Sequence, residues 1–147
     1  MEFIKKIQSD MYAAMKSGDQ VATDTLRMLL SKLKEQKINS KNDITESDCI
    51  SIIKKLVKQR KESAEMYDKA NRMELADKEQ AELLILNEYL PKMMSYEETK
   101  TLVQTILKET KVKRISEIGK VMPLIMQQGG QEVDGKTANM LLRELLD

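Results

Sequence analysis

Histidine and tryptophan are missing from this chain, and phenylalanine and tyrosine together leave aromatics at 3% of its 147 residues. The first absence removes the usual general base near neutral pH and the commonest transition-metal ligand. The scarcity of rings removes most of the platforms on which nucleic-acid bases stack. A single cysteine, Cys49, allows no internal disulfide and no multi-cysteine metal site, a usage that fits a reducing compartment and an expected cytoplasmic location. Charge of one sign is also lacking, since 25 basic residues face 24 acidic ones and no global field announces nucleic acid or membrane. No apolar run approaches the roughly 20 residues that span a bilayer. The opening MEFIKKIQSD scatters charges where a secretory signal needs a continuous apolar stretch. A soluble chain with no membrane partner is expected.

What the sequence does contain is helical periodicity. Ile4, Ile7, Met11, Ala14 and Met15 recur at helical spacing until Gly18, and Ala22, Leu26, Leu29 and Leu33 repeat until turn chemistry at Asn39 to Asp43. Thr45 with Asp48 forms a capping-box pattern ahead of a long amphipathic segment running to about residue 70, with Cys49 in core phase. Asn71 reads as a break. Leu83, Leu86, Tyr89 and Leu90 mark a fourth helix that Pro91 stops. Ser95 with Glu98 is a second capping box, before the stripe Leu102, Val103, Ile106 and Leu107. Ser116 then reads as the cap of a sixth helix and Asp134 as the cap of a seventh. Only KVKRI, 111–115, has strand character, and one strand makes no sheet. The fold class is therefore all-α, with about four helices in an N-terminal domain, 1–91, and three in a small C-terminal domain, 92–147.

Pro123 and the methionines qualify this reading. Pro123 falls inside the sixth helix, where an interior proline costs about 3 kcal/mol, so a kink or an early end is expected there. Most of the 11 methionines sit at helical spacings among Leu and Ile and read as core, whereas Met93 and Met94, just after Pro91, are candidates for exposure at a hinge.

GQEVDGKT, residues 130–137, satisfies the phosphate-loop pattern G-x-x-x-x-G-K-[ST]. That motif works between a strand and a helix, within a parallel sheet that also carries a magnesium-binding aspartate. Here MPLIMQQG precedes it as helix, and Glu132 and Asp134 would face the phosphates. No nucleotide is expected. The residues read instead as a glycine turn followed by a helix capped by Asp134. Four of the five glycines, Gly119, Gly129, Gly130 and Gly135, lie in this region, which requires either tight helix crossings or close approach of a partner's backbone.

Basic residues form two clusters. Lys54, Lys55, Lys58, Arg60 and Lys61 read as the solvated face of one long helix. Lys108, Lys111, Lys113, Arg114 and Lys120, against Glu109 and Glu117, adjoin the glycines and two helix starts, a combination suited to a phosphate backbone without base readout. Lys136 and Arg143 could extend that patch. No catalytic constellation emerges: Glu97 with Glu98 and Glu62 with Glu65 are ordinary surface carboxylates, and neither a cofactor nor a metal site is expected.

QRKESAEMYDKANR at 59–72, NRMELADKEQAELLILNEYLP at 71–91, IGKVMPLIM at 118–126 and VDGKTANMLLRELL at 133–146 together resemble the YqeY proteins, which are similar to the C-terminal tail of the GatB subunit of tRNA-dependent amidotransferase. Gly119, Lys120, Val121 and Met122 match the family's GKVM, and Asp134 with Gly135 matches the start of its last helix. The resemblance implies a two-part helical fold and a tail implicated in contacting tRNA, with amidotransferase chemistry residing elsewhere. It points to a non-catalytic module for tRNA or another structured RNA, with Lys113, Arg114, Gly119, Lys120, Asp134, Gly135, Lys136 and Arg143 as the contact set. The alternative is a protein-interaction adaptor for an amidotransferase or aminoacyl-tRNA synthetase. A carbon–nitrogen ligase using glutamine as amido donor is the least favoured reading.

Overall fold

A computed structural model describes residues 1–147 and is all-helical, without a strand. Its helices are α1 (Glu2–Ser17), α2 (Gln20–Asn39), α3 (Glu46–Lys69), α4 (Met73–Asn87), α5 (Tyr96–Thr110), α6 (Ile118–Gly129) and α7 (Gly135–Leu145). Short 3-10 turns, Ile115–Glu117 and Gly130–Glu132, lead into α6 and follow it. None of the helices is long and apolar enough to cross a membrane.

Local chemistry sets the boundaries. Gly18 ends α1 at φ 77°, a left-handed conformation that costs glycine little. The Thr45 hydroxyl accepts from the Asp48 N–H while the Asp48 carboxylate accepts from the Thr45 N–H, and Ser95 and Glu98 repeat the exchange at α5. These bonds hold the Asp48 and Glu98 carboxyls below their ordinary range, in each case chiefly through the backbone N–H of the capping residue. Between α3 and α4 the chain reverses at Asn71, φ 57°, with the Arg72 N–H bonded to the Tyr67 carbonyl.

The chain divides into two compact units, Met1–Leu90 and Pro91–Asp147. In the first, α4 packs against α3 and α2, and α1 packs against α2. Their shared core is Ile7, Leu29, Leu33, Cys49, Ile53 and Leu86, all essentially inaccessible. Each such aliphatic side chain contributes about 1.5–3 kcal/mol relative to exposure. Arg60, from the first basic cluster, is not part of a solvated face: its Nε lies 3.4 Å from Glu82 Oε2 of α4, and both side chains are largely buried. Lys55, Lys58 and Lys61 are exposed. Midway along α1, the Tyr89 hydroxyl donates to Asp10 at 2.5 Å, and Lys6 donates to the same carboxylate oxygen at 3.0 Å.

In the second unit α5, α6 and α7 pack pairwise around Val103, Ile106, Val121, Ile125, Leu141 and Leu142. The methionines do not fill either core, contrary to the periodicity. Met11, Met28, Met94 and Met122 are half-buried at the core edges, while Met15, Met66, Met73, Met126 and Met140 are exposed. Branched aliphatics occupy the centres, and the flexible thioethers close the perimeter. Met93 and Met94 are half-buried instead of protruding, with the Met94 N–H bonded to the Glu132 carbonyl at 2.8 Å.

Pro123 does not end α6, which runs through it to Gly129. Nor does Ser116 cap that helix. The 3-10 turn takes up the N–H groups at its start, with Glu117 N–H bonded to the Arg114 carbonyl at 3.0 Å and Ile118 N–H to that of Ile115. KVKRI forms no strand: it leaves α5 as a turn and enters the 3-10 segment.

Candidate nucleic-acid interface

The segment between α5 and α6 is fixed at both ends. Lys111 closes α5 in the left-handed conformation, φ 60°, its N–H bonded to the Leu107 carbonyl at 2.8 Å. The half-buried Val112 then packs on the core. Ile115 N–H donates to the Asp147 carbonyl at 2.9 Å, and Asp147 N–H donates to the Lys113 carbonyl at 3.2 Å. Backbone on either side of Arg114 is thereby held against the chain that follows α7. Lys113 and Arg114 project from this braced segment, both exposed.

Gly119 and Lys120 continue the exposed surface on the first turn of α6. No cation among Lys108, Lys111, Lys113, Arg114 and Lys120 is within ion-pair reach of a carboxylate; the ion pairs found, such as Lys5 with Glu2 and Arg27 with Asp24, belong to the first unit. Five positive charges without an ion pair therefore share a short stretch with two carboxylates, Glu109 and Glu117, and the exposed Asp147 is bonded to the same segment through its backbone.

The four clustered glycines do different work. A methyl group on Gly129 would lie 1.9 Å from Val133 Cγ2, and Gly130 sits at φ 58°, ψ −139°, so this pair makes the tight α6–α7 joint possible. Around Gly119 nothing lies within 4 Å of the Cβ position, and around Gly135 only the Met126 thioether comes that close. The fold does not require glycine at 119 for space, and that site is open to an approaching backbone.

At the start of α7 the Asp134 carboxylate accepts from the Lys136 N–H at 3.2 Å and from the Thr137 hydroxyl at 2.9 Å. The phosphate-loop pattern thus spells a helix–turn–helix joint in which Val133, 1% exposed, plugs the core where a P-loop would cradle an anion. Lys136 is exposed and Gly135 half-buried beside Met126. Arg143 lies on the last turn of α7, its Nε bonded to Asn139 Oδ1 at 2.8 Å.

The fold does not gather all eight residues at one point. The chain after α7 is pinned at Asp147 to residues 113–115, four residues beyond Arg143, while Glu144, next to Arg143, accepts from the Tyr96 hydroxyl of α5 at 3.1 Å. Gly119 and Lys120 follow the 113–115 segment directly. Asp134, Gly135 and Lys136 lie at the opposite end of α7, about 12 Å along its axis from Arg143 at 1.5 Å per residue. A feature hidden from the sequence flanks the basic segment: a shallow groove of about 340 Å³ with Leu107, Val112, Leu145 and Leu146 in its lining and Lys108 and Lys113 among its polar residues. Residues so distant in sequence meet only through the packing of α7 on α5.

The family profile described as Yqey-like protein matches residues 4–146. Among curated proteins, an uncharacterized protein of Schizosaccharomyces pombe is 33% identical over 89 residues, covering 60% of this chain and 72% of that protein. The altered inheritance of mitochondria protein 41, mitochondrial, of Vanderwaltozyma polyspora is 34% identical over 110 residues, covering 73% of this chain and 60% of the relative. Its namesake from Pyrenophora tritici-repentis is 27% identical over 146 residues, covering 97% of this chain and 80% of the relative. The match thus spans only three-fifths of the Vanderwaltozyma protein's length. Relatives named as mitochondrial overturn the expectation of a cytoplasmic protein. That expectation rested on Cys49, and one buried free thiol reports only that the fold needs no disulfide, which holds in any reducing compartment.

Proposed function

The chain belongs to the Yqey-like family, and from that premise we propose that it is a non-catalytic RNA-binding module whose preferred ligand is tRNA, engaged by shape and phosphate through its C-terminal unit. The observation that carries the reading is the braced 113–120 segment, where exposed cations without carboxylate partners flank an unobstructed glycine. Lys113, Arg114 and Lys120 meet phosphates, and Arg143 adds a contact from the last turn of α7. Gly119 admits the sugar–phosphate chain to contact distance. Asp134 acts by fixing α7, while Gly135 and Lys136 provide a second contact at the start of that helix, about 12 Å along its axis from Arg143. Such recognition suits a chain with few stacking rings, because phosphate and ribose contacts need none. The motif resemblance to the amidotransferase tail, read from the sequence, is what favours tRNA among structured RNAs in this proposal.

The test is fluorescence anisotropy of labelled tRNA against the wild type and the Lys113→Glu/Arg114→Glu/Lys120→Glu variant. Saturable binding that the variant loses supports the proposal, and equal binding by both, or none by the wild type at low salt, refutes it. A second reading, a protein-interaction adaptor for an amidotransferase or aminoacyl-tRNA synthetase, draws on Ile38, Met66 and Leu84 in the first unit, which are 73%, 71% and 65% exposed. Apolar docking would persist at salt concentrations that abolish phosphate binding.

A further inference from the structure

Pro123 lies inside α6, which spans Ile118–Gly129. In an unbroken helix the N–H of residue 123 would donate to the carbonyl of residue 119. Proline has no N–H, and its ring crowds that carbonyl, so the Gly119 oxygen is deprived of its ladder donor. Gly119 and Pro123 are both exposed, four residues apart and so on one face of the helix. No neighbouring atom lies within 4 Å of the Cβ position at Gly119. A backbone acceptor without a ladder donor thus lies in the first turn of α6, and the next residue is the exposed Lys120.

We propose that the Gly119 carbonyl accepts a hydrogen bond from a ribose 2′-hydroxyl of the strand whose phosphate meets Lys120, so that this site selects RNA by its sugar. The inference rests on the RNA-binding reading above and adds the group that is recognised. Phosphodiester oxygens only accept hydrogen bonds, and along the sugar–phosphate backbone the 2′-hydroxyl is the donor that distinguishes RNA from DNA. An acceptor beside a cation matches a donor beside an anion. Glycine at 119 removes the side chain that would hold the ribose away, and proline at 123 removes the internal donor that would compete for the oxygen.

The experiment compares two labelled hairpins of one sequence, built with ribose or with 2′-fluororibose, which keeps the A-form helix but lacks the donor. Binding is measured by anisotropy for the wild-type chain, Pro123→Ala and Lys120→Gln, with melting temperatures recorded in parallel. The wild type is expected to prefer the ribose hairpin about fivefold, the scale of one net hydrogen bond. Pro123→Ala restores the internal donor, so it should weaken ribose binding, leave 2′-fluoro binding unchanged and bring the preference to within about twofold. Lys120→Gln should weaken both hairpins alike. A proline serving only the helix would change the melting temperature and leave the preference intact. Preference unchanged in Pro123→Ala, or absent from a wild type that binds both hairpins, overturns this inference and leaves the RNA-binding proposal standing. Binding of neither hairpin by the wild type removes both.

Discussion

Replacing Gly129 with alanine sets two opposed effects against each other at the end of α6. Alanine is favoured over glycine in a helix by about 1 kcal/mol, and the αR backbone at this position, φ −81°, ψ −20°, accepts it without strain. Against that, the new Cβ would lie 1.9 Å from Val133 Cγ2, 3.0 Å from Leu102 Cδ2 and 3.1 Å from Val133 Cβ. Carbon atoms rest at about 3.5–4.0 Å, so Val133 must retreat by roughly 1.5–2 Å. It cannot do so by turning a flexible tip, because valine is stiff at χ1 and this one is 1% exposed. Overpacking of this severity costs about 3 kcal/mol, the upper part of the usual range, which leaves a net loss of about 2 kcal/mol. For a unit of this size that lowers the melting temperature by about 8–16 °C. Differential scanning calorimetry of the full chain reads it directly. Gly129→Ala/Val133→Ala should lose less than the sum of its two single variants, because the clash and the cavity cancel in part. A Gly129→Ala protein that melts within about 2 °C of wild type, or above it, would refute the reasoning.

Other consequences are as specific. Gly119→Ala meets no neighbour, so it should leave the melting temperature unchanged or raised while weakening RNA binding in an anisotropy titration. Thr25 Oγ1 is buried without a hydrogen-bond partner, so Thr25→Val should stabilise the first unit by about 1 kcal/mol in urea denaturation. Removing either capping hydroxyl, by Thr45→Ala or Ser95→Ala, should cost about 1 kcal/mol by the same assay. The Tyr89–Asp10 bond predicts a pH signature. The Tyr89 hydroxyl, then Lys6, hold the Asp10 carboxyl below its usual 3.8, so its contribution is full above that pH and is lost as pH falls through the lower folded value. Burial, then the Asp10 hydrogen bond, push Tyr89 above its usual 10.0, so its contribution is full below pH 10 and is lost as pH rises beyond it. The stability gap between wild type and Tyr89→Phe should therefore be widest between these limits and narrow on both sides, as urea midpoints across pH would show.

Features decided by a few neighbouring residues could be read without coordinates. Gly18, the Thr45–Asp48 and Ser95–Glu98 boxes and the Asp134 cap each depend on backbone groups within four residues, and the structure shows all of them. Ser116 misled because a 3-10 turn can serve the same N–H groups that a cap would, and the residue pattern does not distinguish the two. The methionines misled because helical phase says which side of a helix faces inward, but not how deep a flexible chain sits. Pro123 was legible as a strain and not as a continuous helix, since what sustains α6 is its buried stripe of Val121 and Ile125. For the candidate interface, the basic run 108–120 was visible as composition. The meeting of the chain after α7 with residues 113–115, while Asp134 to Lys136 stand at the start of that helix, is tertiary and leaves no local mark.

The most direct measurement is the salt dependence of tRNA affinity for the wild-type chain beside Lys113→Gln/Arg114→Gln/Lys120→Gln. Each phosphate contact contributes about 0.7–0.9 to the slope of log K against log salt. If these three side chains meet phosphates, the variant's slope is shallower by about 2–3, with its melting temperature unchanged. A wild-type slope near zero, or a slope that the three substitutions leave as it was, would contradict an RNA-binding face at this segment.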